Sequence, residues 1–331
     1  MSNLTLLNDR FNRNINYLRI SITDRCNLQC TYCNPHNLVP KLTHEGILSY
    51  EELLRIIRVA VRLGISKIRI TGGEPLVRKG VYHFLKEIVA IEGIKDVSLT
   101  TNGVLLKDNI RKIKQAGIKR INVSLDSLNR RNFEKITRRD LFSQVWEGIE
   151  SARSEGLEPI KLNVVAIRGQ NDHEFQDIAR LSFDYPFHIR FIEYMPVGDA
   201  TFNKSHQILT PEIKKRLRNI GKLIRIPNLI NDGPARRYRF KGAIGEIGFI
   251  SAISRHFCHD CNRLRLTASG ALRACLLSDR QTDIKGPLRS GCSDLELARV
   301  FMHAIYLKPT GHHITKDHDH PVNGKMFAIG G

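Results

Sequence analysis

From Tyr17 to Ile192 the chain alternates short β-rich runs with amphipathic helical stretches. That pattern leaves few folds open, because parallel strands need helical crossovers and pack those helices over a common sheet. The candidate strands are Tyr17–Ile22, Lys67–Thr71, Asp96–Thr100, Ile121–Leu125, Lys161–Ile167 and His188–Ile192. Six are too few to close an eight-stranded barrel, so the expected class is α/β, an incomplete (β/α)6 TIM-like barrel. The first helix is marked by Ser49 and Glu52 as a capping box, by an apolar face of Leu53, Leu54, Ile57, Ala60 and Val61, and by Gly64 as its stop. Later helices are expected near Tyr82–Ile91, Asn109–Gln115, Phe142–Glu155 and His173–Ser182.

After about Tyr194 the alternation fails. One clear helix follows, with Thr210 as N-cap, Pro211 at the first helical position and Gly221 past its end. Beyond it come strand-like pieces at Arg237–Phe240, Glu246–Ile250 and Asn262–Thr267 and a helix near Leu295–Ile305. The change of texture divides the chain into a partial barrel over 1–195 and a C-terminal region over 196–331.

No apolar run approaches the roughly 18 residues of a membrane span, and Met1 to Arg10 lack the layout of a signal peptide. A cytoplasmic protein with no membrane partner is therefore expected. Lys and Arg outnumber Asp and Glu by 52 to 33, a net charge of +19 that attracts polyanions without saying which. The seven cysteines form two tight groups, Cys26, Cys30, Cys33 and Cys258, Cys261, Cys275, with Cys292 apart. Clustered cysteines in such a chain point to metal ligation before disulfides, and the odd count argues against complete pairing.

Cys26, Cys30 and Cys33 have the spacing C-x3-C-x2-C in the loop after the first strand. Three thiolates with no near fourth leave one iron of a [4Fe–4S] cluster open to an outside ligand. Zinc would want a fourth donor, for which His36 is the candidate. Thr71-Gly-Gly-Glu-Pro75 ends the second strand, where glycines admit a ligand to the backbone and leave carbonyls and a carboxylate to accept bonds from an ammonium group. Polar residues recur at the other strand ends: Arg19 and Asp24, Lys67 and Arg69, Thr100 to Asn102, Ser124 and Asp126, Lys161 and Asn163, then Arg190, Glu193 and Met195. Strand alternation turns some of these outward, but as a set the arginines and lysines suit a polyphosphate.

Cys258, Cys261 and Cys275 give C-x2-C-x13-C, which His256, His259 or Cys292 would complete as a zinc site about as readily as iron would use the three alone. The run Cys261-Asn-Arg263-Leu-Arg265-Leu follows, with two arginines at strand alternation and so on one side, beside the thiolates.

The run Ser21-Ile-Thr-Asp-Arg-Cys26-Asn-Leu-Gln-Cys30-Thr-Tyr32-Cys33 resembles the signature of the radical S-adenosylmethionine (SAM) superfamily, with Tyr32 at the place of its aromatic residue. With Lys67 to Arg78, Leu99 to Gly103, Val123 to Asp126, Arg190 to Pro196, the arginine run after Cys261 and the end Met326 to Gly331, the chain resembles the GTP 3′,8-cyclase family over nearly its whole length. That resemblance implies two [4Fe–4S] clusters, one on Cys26, Cys30 and Cys33 that binds SAM and one on Cys258, Cys261 and Cys275 in the C-terminal region. It implies SAM contacts from Tyr32, Gly73, Ser124 and Met195, and GTP contacts from Arg19, Arg69, Thr100, Lys161, Arg263 and Arg265, with Arg263 and Arg265 as the catalytic candidates.

The implied reaction, first in molybdenum cofactor biosynthesis, joins C3′ of GTP to C8 of its guanine. The implied partners are GTP, a flavodoxin- or ferredoxin-type electron donor and a cyclic pyranopterin monophosphate synthase downstream. A homodimer stays open and no nucleic acid is expected. Gly330 and Gly331 resemble a tail that enters the family's active site, and Asn34 stands where the family commonly has Met. A radical SAM enzyme with an auxiliary cluster acting on a peptide is the alternative.

Overall fold

The computed structural model describes residues 7–33, 41–198, 203–228, 233–312, 314, 322 and 326–329. Its strands are β1 (Tyr17–Ser21), β2 (Lys67–Thr71), β3 (Asp96–Thr101), β4 (Ile121–Ser124), β5 (Ile160–Ala166), β6 (His188–Glu193), β7 (Leu223–Ile226), β8 (Arg236–Phe240), β9 (Glu246–Ile250), β10 (Arg263–Leu266), β11 (Ala271–Arg273) and β12 (Thr282–Asp283). Its helices are α1 (Tyr50–Arg62), α2 (Val81–Val89), α3 (Leu106–Gln115), α4 (Arg130–Thr137), α5 (Phe142–Ser154), α6 (Phe175–Asp184), α7 (Thr210–Arg216), α8 (Lys285–Arg289), α9 (Asp294–Tyr306) and α10 (Met326–Ile329).

Among the described residues, these twelve strands form one sheet in the order β12-β11-β10-β1-β2-β3-β4-β5-β6-β9-β8-β7. The six expected strands pair in parallel, and the C-terminal region adds a parallel strand at each edge, β10 beside β1 and β9 beside β6. Antiparallel pairs β11–β12 and β8–β7 finish the two ends, which do not meet, so the barrel is incomplete. The sheet thus crosses the boundary drawn at residue 195, because β9 and β10 find partners far away in the chain.

Strand alternation sets the two faces apart. Leu18, Ile20, Ile68, Ile70, Leu99, Val123, Leu162, Ile189, Phe191, Ile247 and Leu264 are buried in one core with Ile57, Phe84, Ile113, Ile149 and Ile178 of the helices. The neighbouring positions, Tyr17 and Arg19, Lys67 and Arg69, Ser124, Asn163, Arg190, Arg263 and Arg265, carry the polar groups on the opposite face. Every strand-borne arginine expected near the site is on this inner face.

The helices explain how the loops are held. The capping box of α1 is present, with Glu52 N–H donating to Ser49 Oγ at 3.1 Å and Ser49 N–H to Glu52 Oε2 at 2.7 Å. Helix α4 was not expected, since only Phe133 and Ile136 are apolar in its polar run; Asn129 caps it, accepting from Asn132 N–H at 3.1 Å. Helix α7 starts one residue earlier than expected, with Leu209 as N-cap. Thr210 does not cap it: its N–H donates to Glu193 Oε1 at 2.8 Å instead.

Candidate active site

A cavity of about 300 Å³ opens at the carboxyl ends of the parallel strands, and both cysteine triads line it. The first triad is carried by the loop after β1, which is pinned to the last turn of α4. Gln29 N–H donates to the Thr137 carbonyl at 3.0 Å and Thr31 N–H to that of Ile136 at 2.8 Å. Tyr32 presents its ring to the cavity, while its hydroxyl donates to Asp126 Oδ2 at 2.6 Å; Asp126 Oδ1 accepts from Val165 N–H at 2.8 Å. Asn102 holds the other end, its Nδ2 donating to Asn27 Oδ1 at 2.7 Å and standing 3.6 Å from Cys26 Sγ. Burial raises all three thiols, Cys33 to about 12, so without metal they are protonated and ligation must displace protons.

Gly72 and Gly73 bring backbone to the same wall. Gly73 N–H donates to the Thr23 carbonyl and Glu74 N–H to that of Arg25, each at 2.8 Å, and a Cβ on Gly73 would lie 2.4 Å from Arg25 O. Only glycine allows this approach. The Glu74 carboxylate, expected to stay free for an ammonium group, is instead buried away from the cavity. It accepts from Leu76 N–H at 3.0 Å, Thr101 Oγ1 at 2.9 Å and Asn102 N–H at 2.6 Å, and burial raises its pKa to about 7. Its work is to tie the turn after β2 to the turn after β3. Glu193 does the same across β6, accepting from Ile253 N–H at 2.8 Å and Ser254 N–H at 2.9 Å just before the second triad.

The second triad is braced by two cations that sequence spacing does not reveal. Buried Lys308 donates to the carbonyls of Arg263 at 2.8 Å and Ala274 at 2.6 Å and lies 3.5 Å from Cys261 Sγ. Arg13, paired with Asp9 at 2.5 Å, donates to the carbonyls of Cys258 at 2.7 Å and Pro309 at 2.6 Å. Burial would raise the Cys261 thiol, but Lys308 and Arg263 outweigh it and bring it down to about 7. Of the alternative fourth donors, His256 lines the cavity and packs on His312 at 5.0 Å, whereas exposed His259 faces Asp260 at 3.0 Å. Cys292 is off the cavity, against the core. His36, Asn34, His313, Gly330 and Gly331 lie outside the described residues.

Between the triads the strand register builds a basic grid. Arg265, Arg19 and Arg69 stand abreast on β10, β1 and β2, and Arg263, Tyr17 and Lys67 form the row beneath. Burial and mutual repulsion hold Arg19 and Arg265 below the ordinary arginine value, Arg265 at about 10. Gathering cations out of water is costly and an entering polyanion relieves it. Thr100, Ser124 and Met195 also line the cavity. Lys161 is on the same face of β5, buried in register with Asn122 and His188, but does not line it. Thr100 Oγ1 and Asn163 Oδ1 are buried on the wall without a partner among the described residues, which suits a polar ligand.

Residues 20–182 match the Radical SAM superfamily and residues 187–314 the Molybdenum Cofactor Synthesis C family. The GTP 3′,8-cyclase of Moorella thermoacetica is 50% identical over 325 residues, covering 98% of this chain and 100% of that protein. That of Thermodesulfovibrio yellowstonii is 50% identical over 330 residues, with the same coverage. The chain belongs to the GTP 3′,8-cyclase family. Membership in the radical SAM superfamily carries with it SAM and a [4Fe–4S] cluster. Among solved structures, Streptococcus suis SuiB bound to S-adenosylmethionine superposes with a TM-score of 0.61 at 15% identity, over 86% of this chain and 68% of that one. That likeness supports the incomplete barrel. No helix among the described residues is long and apolar enough to cross a membrane.

Proposed function

We propose that this chain converts GTP to (8S)-3′,8-cyclo-7,8-dihydroguanosine 5′-triphosphate, the first step of molybdenum cofactor biosynthesis. One observation carries the reading: two cysteine triads and the four arginines Arg19, Arg69, Arg263 and Arg265 line a single cavity. When bound, SAM on the first cluster would supply a 5′-deoxyadenosyl radical; hydrogen would pass to it from C3′ of GTP, C3′ would bond to C8 as the C8–N7 double bond opens, and one electron from the donor protein with a proton at N7 would complete the dihydro product.

Cys26, Cys30 and Cys33 would hold that cluster on a loop fixed by α4, and Gly73, Ser124, Met195 and the Tyr32 ring would contact SAM. Cys258, Cys261 and Cys275 would hold a second [4Fe–4S] cluster, whose open iron would take the guanine. Arg263 and Arg265, directly after Cys261, are the catalytic pair that orients the nucleotide between the clusters. Arg19, Arg69 and Thr100 receive the triphosphate, with buried Lys161, in register with Thr100 through Asn122, adding positive charge from outside the lining. Met195, Leu276 and Phe327 on the wall keep water from the radical. Helix α10 brings Met326 and Phe327 to the cavity, which supports an active-site role for the tail at Gly330 and Gly331.

Residues 1–195 form the radical-generating part and 196–331 the second-cluster and GTP part. A flavodoxin- or ferredoxin-type protein delivers the electron, and a cyclic pyranopterin monophosphate synthase consumes the product. The test is anaerobic reconstitution with iron and sulfide, then SAM, reductant and GTP. About eight irons per chain and GTP-dependent 5′-deoxyadenosine support the reading. About four irons with zinc in the second site, or SAM cleavage indifferent to GTP, would redirect it to another substrate such as a peptide.

A further inference from the structure

Tyr17 opens β1 and is 4% exposed, yet its hydroxyl oxygen is buried and makes no hydrogen bond among the described residues. Buried polar atoms are nearly always paired, so one left open on a cavity wall points to the ligand that pairs with it. Its position narrows the chemistry of that ligand. Arg263 on β10 and Lys67 on β2 are its neighbours in register, and Arg19 follows on the same face of its own strand. The Lys67 ammonium is 5.1 Å and the Arg69 guanidinium 5.7 Å from the centre of its ring. Burial alone would raise the phenol, but Arg69, Arg19, Arg263 and Lys67 outweigh it and hold its pKa below the usual tyrosine value. These cations attract the lone pairs of the phenolic oxygen and leave its O–H for an acceptor that enters the cavity. An acceptor drawn into a ring of cations is an anion.

We propose that Tyr17 is a phosphate-binding residue, its Oη donating a hydrogen bond to a phosphate oxygen of the nucleotide at the centre of the Arg263–Tyr17–Lys67 and Arg265–Arg19–Arg69 rows. The proposal rests on the reading of this cavity as a GTP site. A neutral donor has a physical advantage here: it adds a hydrogen bond to the phosphate without adding another charge beside Arg19, Arg69, Arg263 and Arg265 on the same wall. The Lys67 and Arg69 contacts to the ring also fix its position, and with it that of the hydroxyl.

The experiment compares the reconstituted enzyme with its Tyr17→Phe variant, which keeps the ring and removes only the hydroxyl. Equilibrium binding of GTP and of guanosine is measured by calorimetry under anaerobic conditions, and thermal unfolding without nucleotide is recorded. The expected result is GTP binding weakened about tenfold or more, the loss of one hydrogen bond to a charged acceptor. Guanosine binding stays unchanged, and the nucleotide-free variant unfolds at no lower temperature, because the deleted hydroxyl had no partner. Equal GTP affinity in the two proteins would overturn the assignment of Tyr17 while leaving the GTP site intact. Equal weakening of GTP and guanosine would overturn it as well, by showing that the change disturbs the cavity's shape. Failure of the unaltered enzyme to bind GTP would remove the site reading and this proposal together.

Discussion

Gly73 shows how little room the site leaves to its residues. Alanine there would press its methyl group against the Arg25 carbonyl, 2.4 Å away, and push the cysteine loop off the end of β2. A Gly73→Ala protein is expected to fold with a loss of about 1–3 kcal/mol and to lose SAM binding, measured by thermal unfolding and SAM titration. Lys308 is the counterpart at the second triad. Methionine in its place leaves the Arg263 and Ala274 carbonyls without their buried donor, at a cost of about 1–3 kcal/mol. Iron content after reconstitution is expected to fall by about half in Lys308→Met, as the second triad loosens and the first does not. The grouping of six cysteines into two triads could be read from spacing alone, and the structure brings both triads to one cavity. Lys308 and Arg13 could not, because they act on main-chain carbonyls, Arg13 on one 245 positions along the chain. Glu74 was legible as part of a motif but not in its role, since only the fold shows three donors converging on its carboxylate.

The elements of the barrel were legible where periodicity was long enough to register. The six central strands and the helices between them follow from alternation, and α1 announces both its ends. Helix α4 escaped because two apolar residues in eight do not make a readable stripe, although the cysteine loop hangs on its last carbonyls. Strands β9 and β10 were visible as strands but not as edges of the barrel. Local sequence carries no signal for a partner that lies elsewhere in the chain. Phe191 of β6 is the hinge pin of one such edge, packed on Phe175 of α6 at 5.2 Å and Phe249 of β9 at 6.1 Å between ring centres. Phe191→Ala is expected to cost about 3–5 kcal/mol in denaturant unfolding, among the larger losses for a single core change.

The molecule as a whole closes its site with both halves of the chain. A fragment of residues 1–195 would bare the edges of β1 and β6 and the apolar surface that β9 and β10 cover, so it is expected to aggregate or to unfold without a cooperative transition. Removing the metal acts on the same unity: chelation of a reconstituted sample should lower its melting temperature, because a group bound only by the folded chain stabilises it. Convergence of the two triads on one cavity has its most direct test in the fate of a single hydrogen atom. GTP carrying deuterium at C3′ is incubated anaerobically with the reconstituted enzyme, SAM and a reductant, and the mass of the 5′-deoxyadenosine is measured. One deuterium in that product is the expected result; 5′-deoxyadenosine formed at the same rate without deuterium would contradict it.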